Sequence, residues 1–403
     1  MINKEKIKFG FIAILIYVFF VIRLAYIQNI NEIALVISLM IFGYLFFKGV
    51  VLNKRYKNIN FTLYLFSLCV IISSVINWYN LDGAILYILK ILNIILFIEY
   101  AFERKQDILV SKVFFLISLI FSGLTILYDY KYPLAAWNNN LNFLIGSKFL
   151  VSYNALATIV FFIYSYNEKI KKKISYKIMM LCLICISFLI SKEVNCSTTM
   201  VGLFFYIVIL ILSKKIKRKF LCNANFIIFS FIGSAILVLV LEKILKYNQM
   251  INYMVLNIFE KDLSLSGRTI IYEKYPLYLK GHLLFGYGFN SVYDLFKNSM
   301  EIYKNTYAFD SQNALLEYIL YFGIIGSIVF LNFVKKCFKN IQNIDDIKLR
   351  KKICFIIALY IWILMGIVEI TINPLFYVFI AFTFCCLKNE KNEKNKNTKE
   401  CIK

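Results

Sequence analysis

Apolar runs long enough to cross a lipid bilayer recur along almost the whole chain. A hydrocarbon core about 30 Å thick requires roughly 20 apolar residues per helix. Only helices and closed barrels satisfy their backbone hydrogen bonds inside that core. With 61% hydrophobic residues and a mean hydropathy of +0.71, the composition excludes a soluble domain. The sequence therefore predicts an all-α integral membrane protein, a polytopic bundle of about 12 transmembrane helices.

The predicted spans form a single membrane domain over residues 1–403, without an internal repeat or a removed signal peptide. They are Phe9 to Ile27, Ile33 to Val51, Phe61 to Asn77, Ala84 to Ile98, Ile108 to Leu127, Phe149 to Tyr166, Ile178 to Ser191, Thr199 to Leu212, Phe226 to Leu241, Asn313 to Val334, Ile353 to Ile370 and Pro374 to Leu387.

The net charge of +23 follows the expected topology and does not indicate a nucleic-acid partner. Most of the Lys and Arg residues lie in alternate connecting segments, such as Lys48 to Lys57 and Lys214 to Lys219. By the positive-inside rule these segments are cytoplasmic. Both termini are then cytoplasmic, and residues 388–403 form a disordered cytoplasmic tail. The composition suits the plasma membrane of a low-GC bacterium.

Residues 243–312 form the longest polar segment, and the same rule predicts that it is one large extracytoplasmic loop. It contains Ser266-Gly267-Arg268-Thr269, followed by a stretch that can form a short amphipathic helix before Pro276. Arg268 is the only arginine of this loop. A guanidinium can grip phosphate oxygens in bidentate fashion, so Arg268 is a candidate phosphate ligand. Alternatively, it pairs with a local acid such as Asp262 or meets lipid headgroups.

A second motif in the loop is Leu284-Phe285-Gly286-Tyr287-Gly288. Two glycines around an aromatic residue can form a tight turn that brings the backbone close to a ligand. Tyr287 then offers a ring for stacking on a sugar, which makes it a candidate substrate-binding residue. The motif lacks the third glycine and the strand of a dinucleotide-binding fingerprint, so it does not indicate a nucleotide site.

The loop ends in Asp310-Ser311-Gln312-Asn313, directly before a predicted span. Polar side chains at the mouth of a transmembrane helix are well placed for chemistry at the lipid headgroups. Asp310 and Asn313 are three residues apart and could share one helical face, with Glu317 one turn further in. A simpler alternative is that Asp310 or Ser311 caps the helix.

Two lysines, Lys148 and Lys192, are predicted to lie at the outer ends of other spans. Each could be an interfacial anchor that reaches the headgroups. Alternatively, they form an external cationic pocket for a diphosphate with three further cations, namely Arg268, Lys280 and Arg23.

Other ionisable residues give weaker signals. Lys90 lies inside the fourth predicted span, where a charge requires a partner or a water-filled cavity, or reaches outward to the headgroups. His282 is the only histidine and could be a general base or an interfacial residue. The 10 cysteines suggest neither a disulfide framework nor a zinc site. No metal ion or cofactor is predicted.

The order of these motifs resembles that of the O-antigen polymerase and ligase superfamily. The resemblance rests on Ser266-Gly267-Arg268, on Phe285-Gly286-Tyr287-Gly288, and on Ser311 to Leu316 followed by Gly323 and Gly326. The segment Ile145 to Ala155 also looks like the start of the sixth helix in capsular polysaccharide polymerases.

The resemblance implies a metal-independent glycosyltransferase whose sugar donor is carried on undecaprenyl diphosphate. It also implies that Arg268 holds the diphosphate. Where many members have His-Asn, this chain has Gln312-Asn313. Because glutamine is not a base near neutral pH, proton transfer would fall to another residue: Asp310, Glu317, Glu273 or His282. The candidate catalytic residues are accordingly Arg268, Asp310, Gln312 and Asn313. Substrate binding is predicted for Lys148, Lys192, Lys280, Tyr287 and Glu317.

Three functions fit the sequence. The first is a polysaccharide polymerase, which moves a growing glycan from one lipid carrier to the non-reducing end of another lipid-linked repeat unit. The second is a ligase of the same superfamily, which uses a different final acceptor. The third is a flippase or transporter of lipid-linked oligosaccharide, against which stands the near absence of ionisable residues within spans. The predicted partners are the lipid-linked substrate and membrane lipids, with a flippase and a chain-length regulator as further candidates.

Overall fold

The chain forms a bundle of long apolar helices in the computed structural model, which describes residues 4–22, 29–52, 57–131, 143–213, 218–248, 253, 268–297, 299–303, 306–340 and 351–385. In chain order these are α1 (Lys4–Ile16), a π-helical turn (Tyr17–Val21), α2 (Ile30–Phe47), α3 (Lys57–Ile76), α4 (Leu81–Glu103), α5 (Asp107–Lys131), α6 (Lys148–Lys172), α7 (Ile174–Glu193), α8 (Ser197–Leu212), α9 (Arg218–Leu221) and α10 (Ala224–Tyr247). Next come α11 (Arg268–Leu279), α12 (Val292–Lys297), the antiparallel strands β1 (Glu301–Tyr303) and β2 (Thr306–Tyr307), α13 (Ala314–Lys339), α14 (Ile353–Met365) and α15 (Pro374–Cys385).

Seven of the described helices are long and apolar enough to cross a membrane: α2 to α7 and α13. Four further helices are apolar but shorter, namely α8, α10, α14 and α15. Every predicted span overlaps a helix, and the prediction of an α-helical membrane protein is confirmed. The count of twelve crossings stays a prediction, as does the position of residues 243–312 outside the membrane. Arg23, Asp262, Ser266, Gly267 and the tail 388–403 lie outside the described residues.

The interior of the bundle is built around α6, α14 and α15. Every residue of α6 from Val151 to Tyr164 is buried, and so is α15 from Leu375 to Cys385. A helix that is apolar on all sides belongs in such a central position. α6 packs against α5 and α7, α13 packs against α3 and α10, and α8 packs against α14. By contrast, only 22% of the residues in the apolar windows of α2 and α7 are buried, and their exposed apolar side chains form the faces that lipid would cover.

Helix α13 is interrupted at Gly323, and the Gly286-Tyr287-Gly288 motif fills the break. At Gly323 φ is 68° and ψ is −173°, a conformation that is essentially restricted to glycine. The amides of Tyr287 and Gly288 donate to carbonyls before the break, those of Leu320 and Tyr321, over 2.8 and 3.0 Å. After the break, Ile324 N donates to Leu283 O and Ile325 N donates to Leu284 O, over 2.9 and 3.3 Å. Residues 283–288 therefore supply the partners that the helix interruption would otherwise leave unsatisfied.

The close backbone approach explains Gly286 of the motif and Gly323 of α13 in structural terms. A Cβ atom at Gly286 would lie 2.5 Å from Leu320 O, and one at Gly323 would lie 2.1 Å from Leu284 O. Asn77, the residue after α3, also holds the segment, because its Nδ2 donates to Gly286 O over 3.0 Å. The sequence predicted an approach of this backbone to a ligand, whereas in the structure it approaches α13.

Two predicted helix ends near the candidate site differ from the structure. The helix that begins at Arg268 continues past Pro276 to Leu279, with the proline ring on its exposed face. The span predicted to end at Ile370 has its helix end at Met365, because Gly366 caps it and residues 366–373 form a loop. A proline or an apolar run alone does not determine a helix end when tertiary hydrogen bonds are present. The second correction matters most, since the loop 366–373 contributes to the candidate site.

Candidate functional site

Arg268, the first residue of α11, forms an ion pair with Glu369 of the loop 366–373. The distance from Arg268 Nη2 to Glu369 Oε1 is 3.2 Å. The Arg268 side chain keeps 25% of its surface exposed, whereas Glu369 keeps only 5%. Thr198, in the first turn of α8, donates its hydroxyl to the same Oε1 atom over 3.4 Å. A buried carboxylate thus orients an arginine that still reaches the surface.

Helix α11 presents Arg268, Tyr272 and Tyr275 on one face, because their spacing of four and three residues matches the helical period. The Tyr272 hydroxyl donates to Gln312 O over 3.0 Å, and the Tyr275 hydroxyl donates to Leu316 O over 2.7 Å. Both tyrosines are buried. These two bonds fix α11 against the start of α13 and so determine where Arg268 lies.

Asp310 and Gln312 form a tight turn next to this helix. Asp310 Oδ1 accepts from the backbone amide of Gln312 over 2.9 Å and from its side-chain Nε2 over 2.6 Å. Gln312 adopts a left-handed conformation with φ 54°, which closes the turn. Both donors from Gln312 use the same carboxylate oxygen. Asp310 Oδ2 is therefore used by neither of them.

Asn313 caps α13, which corrects two expectations from the sequence. Its Oδ1 accepts from the amides of Leu315 and Leu316, and its Nδ2 donates to Ile367 O over 3.1 Å. The cap is therefore Asn313, not Asp310 or Ser311. Asp310 and Asn313 do not share a helical face either, because Asn313 has the extended backbone of a capping residue. The amide of Asn313 joins α13 to the loop 366–373 and positions both.

Glu317 lies in the first turn of α13 and is buried. Its Oε2 accepts from the backbone amide of Ser311 over 2.8 Å. The carboxylate therefore holds the turn that carries Asp310, in the manner of an acidic residue that reaches back to the start of a helix. This contact gives Glu317 a supporting position behind the turn.

Four charged side chains come together at this end of the bundle: Arg268, Glu369, Asp310 and Lys148, here named the Arg268 cluster. Burial raises the pKa of Glu369 to about 7, although Arg268 and Lys148 lower it and Asp310 raises it further. Burial also raises the pKa of Asp310, while the bonds from Gln312 and the charge of Arg268 act in the opposite direction. Two carboxyls share two cations here, so protonation of Glu369 leaves the cluster with a net positive charge.

The other predicted site residues lie apart from the cluster. Lys192 and Lys280 are exposed, and neither makes a hydrogen bond or ion pair with Arg268 or Glu369 among the described residues. Tyr287 donates its hydroxyl to Tyr278 O, and its ring stacks on His282 with 3.8 Å between the ring centroids. Tyr287 and His282 therefore belong to the segment that packs on α13. Their predicted roles, like those of the lysines, stay predictions.

Glu369 is the main site residue that the sequence reasoning missed. It lies within the predicted span Ile353 to Ile370, three residues after a glycine and five before a proline. An ionisable residue inside an apolar run indicates a functional role, as argued for Lys90, and the same argument could have identified Glu369.

Among the residues that the structure describes, no group of three His, Cys, Asp or Glu side chains is placed to bind a metal ion.

Comparison with known proteins gives one family match. Residues 194–331 match the family model described as O-antigen ligase. The match confirms the resemblance to the O-antigen polymerase and ligase superfamily. Enzymes of this superfamily act on lipid-linked glycans. The matched segment runs from the end of α7 into α13 and contains Arg268, Asp310 and Glu317. No curated protein and no solved structure matches the chain significantly.

Proposed function

We propose that the protein is a polysaccharide polymerase of the O-antigen polymerase and ligase superfamily. It transfers glycan from one undecaprenyl-diphosphate carrier to the non-reducing end of another lipid-linked repeat unit. The observation that carries this proposal is the Arg268 cluster, which combines an oriented arginine, a lysine and two carboxyls at the mouth of the bundle. The family match to residues 194–331 supports the superfamily and is equally consistent with a ligase.

The proposed topology places the reaction outside a bacterial plasma membrane. Twelve helices cross the bilayer, both termini are cytoplasmic, and residues 243–312 lie on the outer face. The distribution of basic residues supports this orientation. Substrates reach the site from the outer leaflet, after a flippase has delivered them. A chain-length regulator is a further proposed partner.

In the proposed reaction a sugar hydroxyl of the acceptor attacks the anomeric carbon of the donor. The new oxygen–carbon bond forms as the bond from that carbon to the diphosphate oxygen breaks. The diphosphate departs with the electron pair, and Arg268 and Lys148 stabilise its charge. Asp310 takes the hydroxyl proton, because its raised pKa makes it a better base and Oδ2 is not engaged by Gln312. The displacement inverts the anomeric configuration.

The test of the function is the size distribution of lipid-linked glycan after purified protein is incubated with undecaprenyl-diphosphate repeat units. A polymerase produces a ladder spaced by the mass of one repeat unit. Conversely, transfer to an added non-repeat acceptor without a ladder supports the ligase. Movement of unchanged substrate across liposomes supports the transporter. Either of these results, obtained with the matching repeat unit, rejects the polymerase.

The pH dependence of the reaction should depend on Glu369. Its pKa of about 7 means that the carboxylate fraction rises as the pH increases through neutrality. Since the carboxylate orients Arg268, we expect kcat/KM to fall on the acidic side of about pH 7. Glu369→Gln cannot ionise, so the acidic limb should change in this variant and any limb that remains belongs to the general base Asp310. We expect Asp310→Asn to lower the rate about a hundredfold, as loss of a general base does, and to keep the limb. The measurement is kcat/KM from pH 5.5 to 9 for all three proteins, and an unchanged limb in Glu369→Gln would contradict the assignment.

A further inference from the structure

The hydroxyl of Tyr153 is buried beside the Arg268 cluster without a hydrogen-bond partner among the described residues. Tyr153 is only 1% exposed, and its ring packs against Trp362 with 5.5 Å between the ring centroids. A buried tyrosine hydroxyl normally finds a partner, because an unpaired polar group in the interior is costly. Packing of the ring alone therefore does not explain why a hydroxyl group is present at this site.

Tyr153 lies close enough to Glu369 and Asp310 for both carboxyls to influence its hydroxyl. It belongs to α6, which begins at Lys148, and five residues correspond to about 7.5 Å along the helix axis. The tyrosine is thus one to two turns below the lysine of the cluster. Glu369 Oε1 already accepts from Arg268 and Thr198, so these two donors hold that oxygen.

Two other buried donors at this end of the bundle also lack a hydrogen-bond partner among the described residues. Trp362 Nε1 and Ser191 Oγ have no hydrogen-bond partner within the described part of the chain, and both residues are fully buried. Trp362 contacts the ring of Tyr153. The backbone carbonyl of Ser191 accepts a hydrogen bond from the amide of Cys196 over 2.8 Å, and Cys196 is close enough to Tyr153 to influence its hydroxyl. Each of these three groups can donate a hydrogen bond, and Tyr153 among them lies beside the two carboxyls of the Arg268 cluster.

Buried donors that lack a protein acceptor beside the Arg268 cluster fit a ligand that carries mainly acceptors. A diphosphate is such a ligand, because its oxygens accept hydrogen bonds and carry negative charge. A sugar would present donors as well. The arrangement consequently favours the phosphate part of the substrate over its glycan part at the inner wall of the site.

We propose that Tyr153 is a substrate-binding residue, whose hydroxyl donates a hydrogen bond to a diphosphate oxygen of the lipid-linked substrate. This inference rests on the proposed function. In it, the Tyr153 hydroxyl contacts one side of the diphosphate, and Arg268 and Lys148 contact the other. A phenol that keeps its proton donates more strongly as negative charge develops on the leaving group. The bond therefore contributes both to binding and to the rate.

The variant Tyr153→Phe tests the proposal, because it removes the hydroxyl and keeps the ring. Tyr206→Phe is the matched control. Tyr206 is also fully buried, and its hydroxyl also lacks a partner among the described residues, but the thiol within electrostatic range is that of Cys354 at the start of α14. The probe is undecaprenyl diphosphate in nanodiscs, with binding measured by titration and turnover measured as ladder formation.

We expect Tyr153→Phe to bind the carrier diphosphate about tenfold more weakly and to lower kcat by a further factor of roughly ten, the range for one bond to a charged group. Tyr206→Phe should match the native protein, and all three should show similar thermal stability. Equal binding and turnover by native protein and Tyr153→Phe overturn the role of Tyr153 while the proposed function stands. Equal losses in both variants also overturn it, since they indicate a general packing effect. If the native protein binds no carrier diphosphate, both proposals fail.

Discussion

Replacing Arg268 by alanine should lower the rate of polymerisation about a thousandfold, the scale of losing a main electrostatic contact to a developing anion. In the structure Arg268 is held by Glu369 and keeps part of its side chain exposed, so it is oriented before substrate arrives. Because the guanidinium is already in place, no free energy is lost in reorienting it as negative charge develops on the diphosphate. The measurement is the initial rate of ladder formation with undecaprenyl-diphosphate repeat units.

The loss should arise from chemistry and not from unfolding. Removal of Arg268 leaves Glu369 without its guanidinium partner, but burial already raises the pKa of this carboxyl to about 7, and it can become neutral. We therefore expect Arg268→Ala to elute as a folded protein. Arg268→Lys should recover part of the rate, since lysine keeps the charge and loses the fork geometry.

Lys274→Ala is the matched control, because Lys274 is a half-buried cation on the same helix, α11. It should polymerise at the native rate. A ladder of native rate from Arg268→Ala would contradict the assignment of the site. A comparable loss in Lys274→Ala would show that the net charge of α11, and not the position of Arg268, determines activity.

The helical framework can be predicted from the sequence because the bilayer imposes the length and polarity of each span. Arg268 can also be predicted as a site residue, because it is a lone arginine in a long polar segment. Its pairing with Glu369 cannot be predicted, because the two residues are 101 positions apart. Hydropathy assigned Glu369 to a span, whereas a glycine cap and the bonds of Asn313 and Ala314 to the loop end the helix earlier.

Local motifs gave the residues of the site but not all of their roles. The sequence predicts Asn313 and Glu317 as polar groups at the start of a helix. In the structure Asn313 caps α13 and Glu317 holds the turn that carries Asp310. The Gly286-Tyr287-Gly288 motif predicts a turn against a ligand, whereas in the structure its backbone amides donate hydrogen bonds to α13. In each case the role depends on which distant backbone group the side chain or loop contacts, and a single sequence does not contain that information.

The break at Gly323 makes the second large prediction, this time on stability. Gly323→Ala should destabilise the protein by roughly 3 kcal/mol or more, because its backbone conformation is strained for any residue with a Cβ and the added atom would lie 2.1 Å from Leu284 O. The segment 283–288 cannot move away without breaking its bonds to α13. Gly286→Ala should have a similar effect for the same reason, since its Cβ would meet Leu320 O.

Gly233→Ala provides the control for Gly323→Ala, because a Cβ at Gly233 meets nothing within 4 Å and lies in the regular helix α10. Alanine favours a helix over glycine, so this variant should be as stable as the native protein or slightly more stable. Thermal unfolding can be followed by the reaction of a thiol dye with buried cysteines such as Cys337 and Cys385. Native-like stability of Gly323→Ala would mean that α13 can run straight through this position and that the segment 283–288 does not depend on the break. A large loss there, with none at Gly233, would show that the interruption of a membrane helix is stabilised by the segment inserted into it.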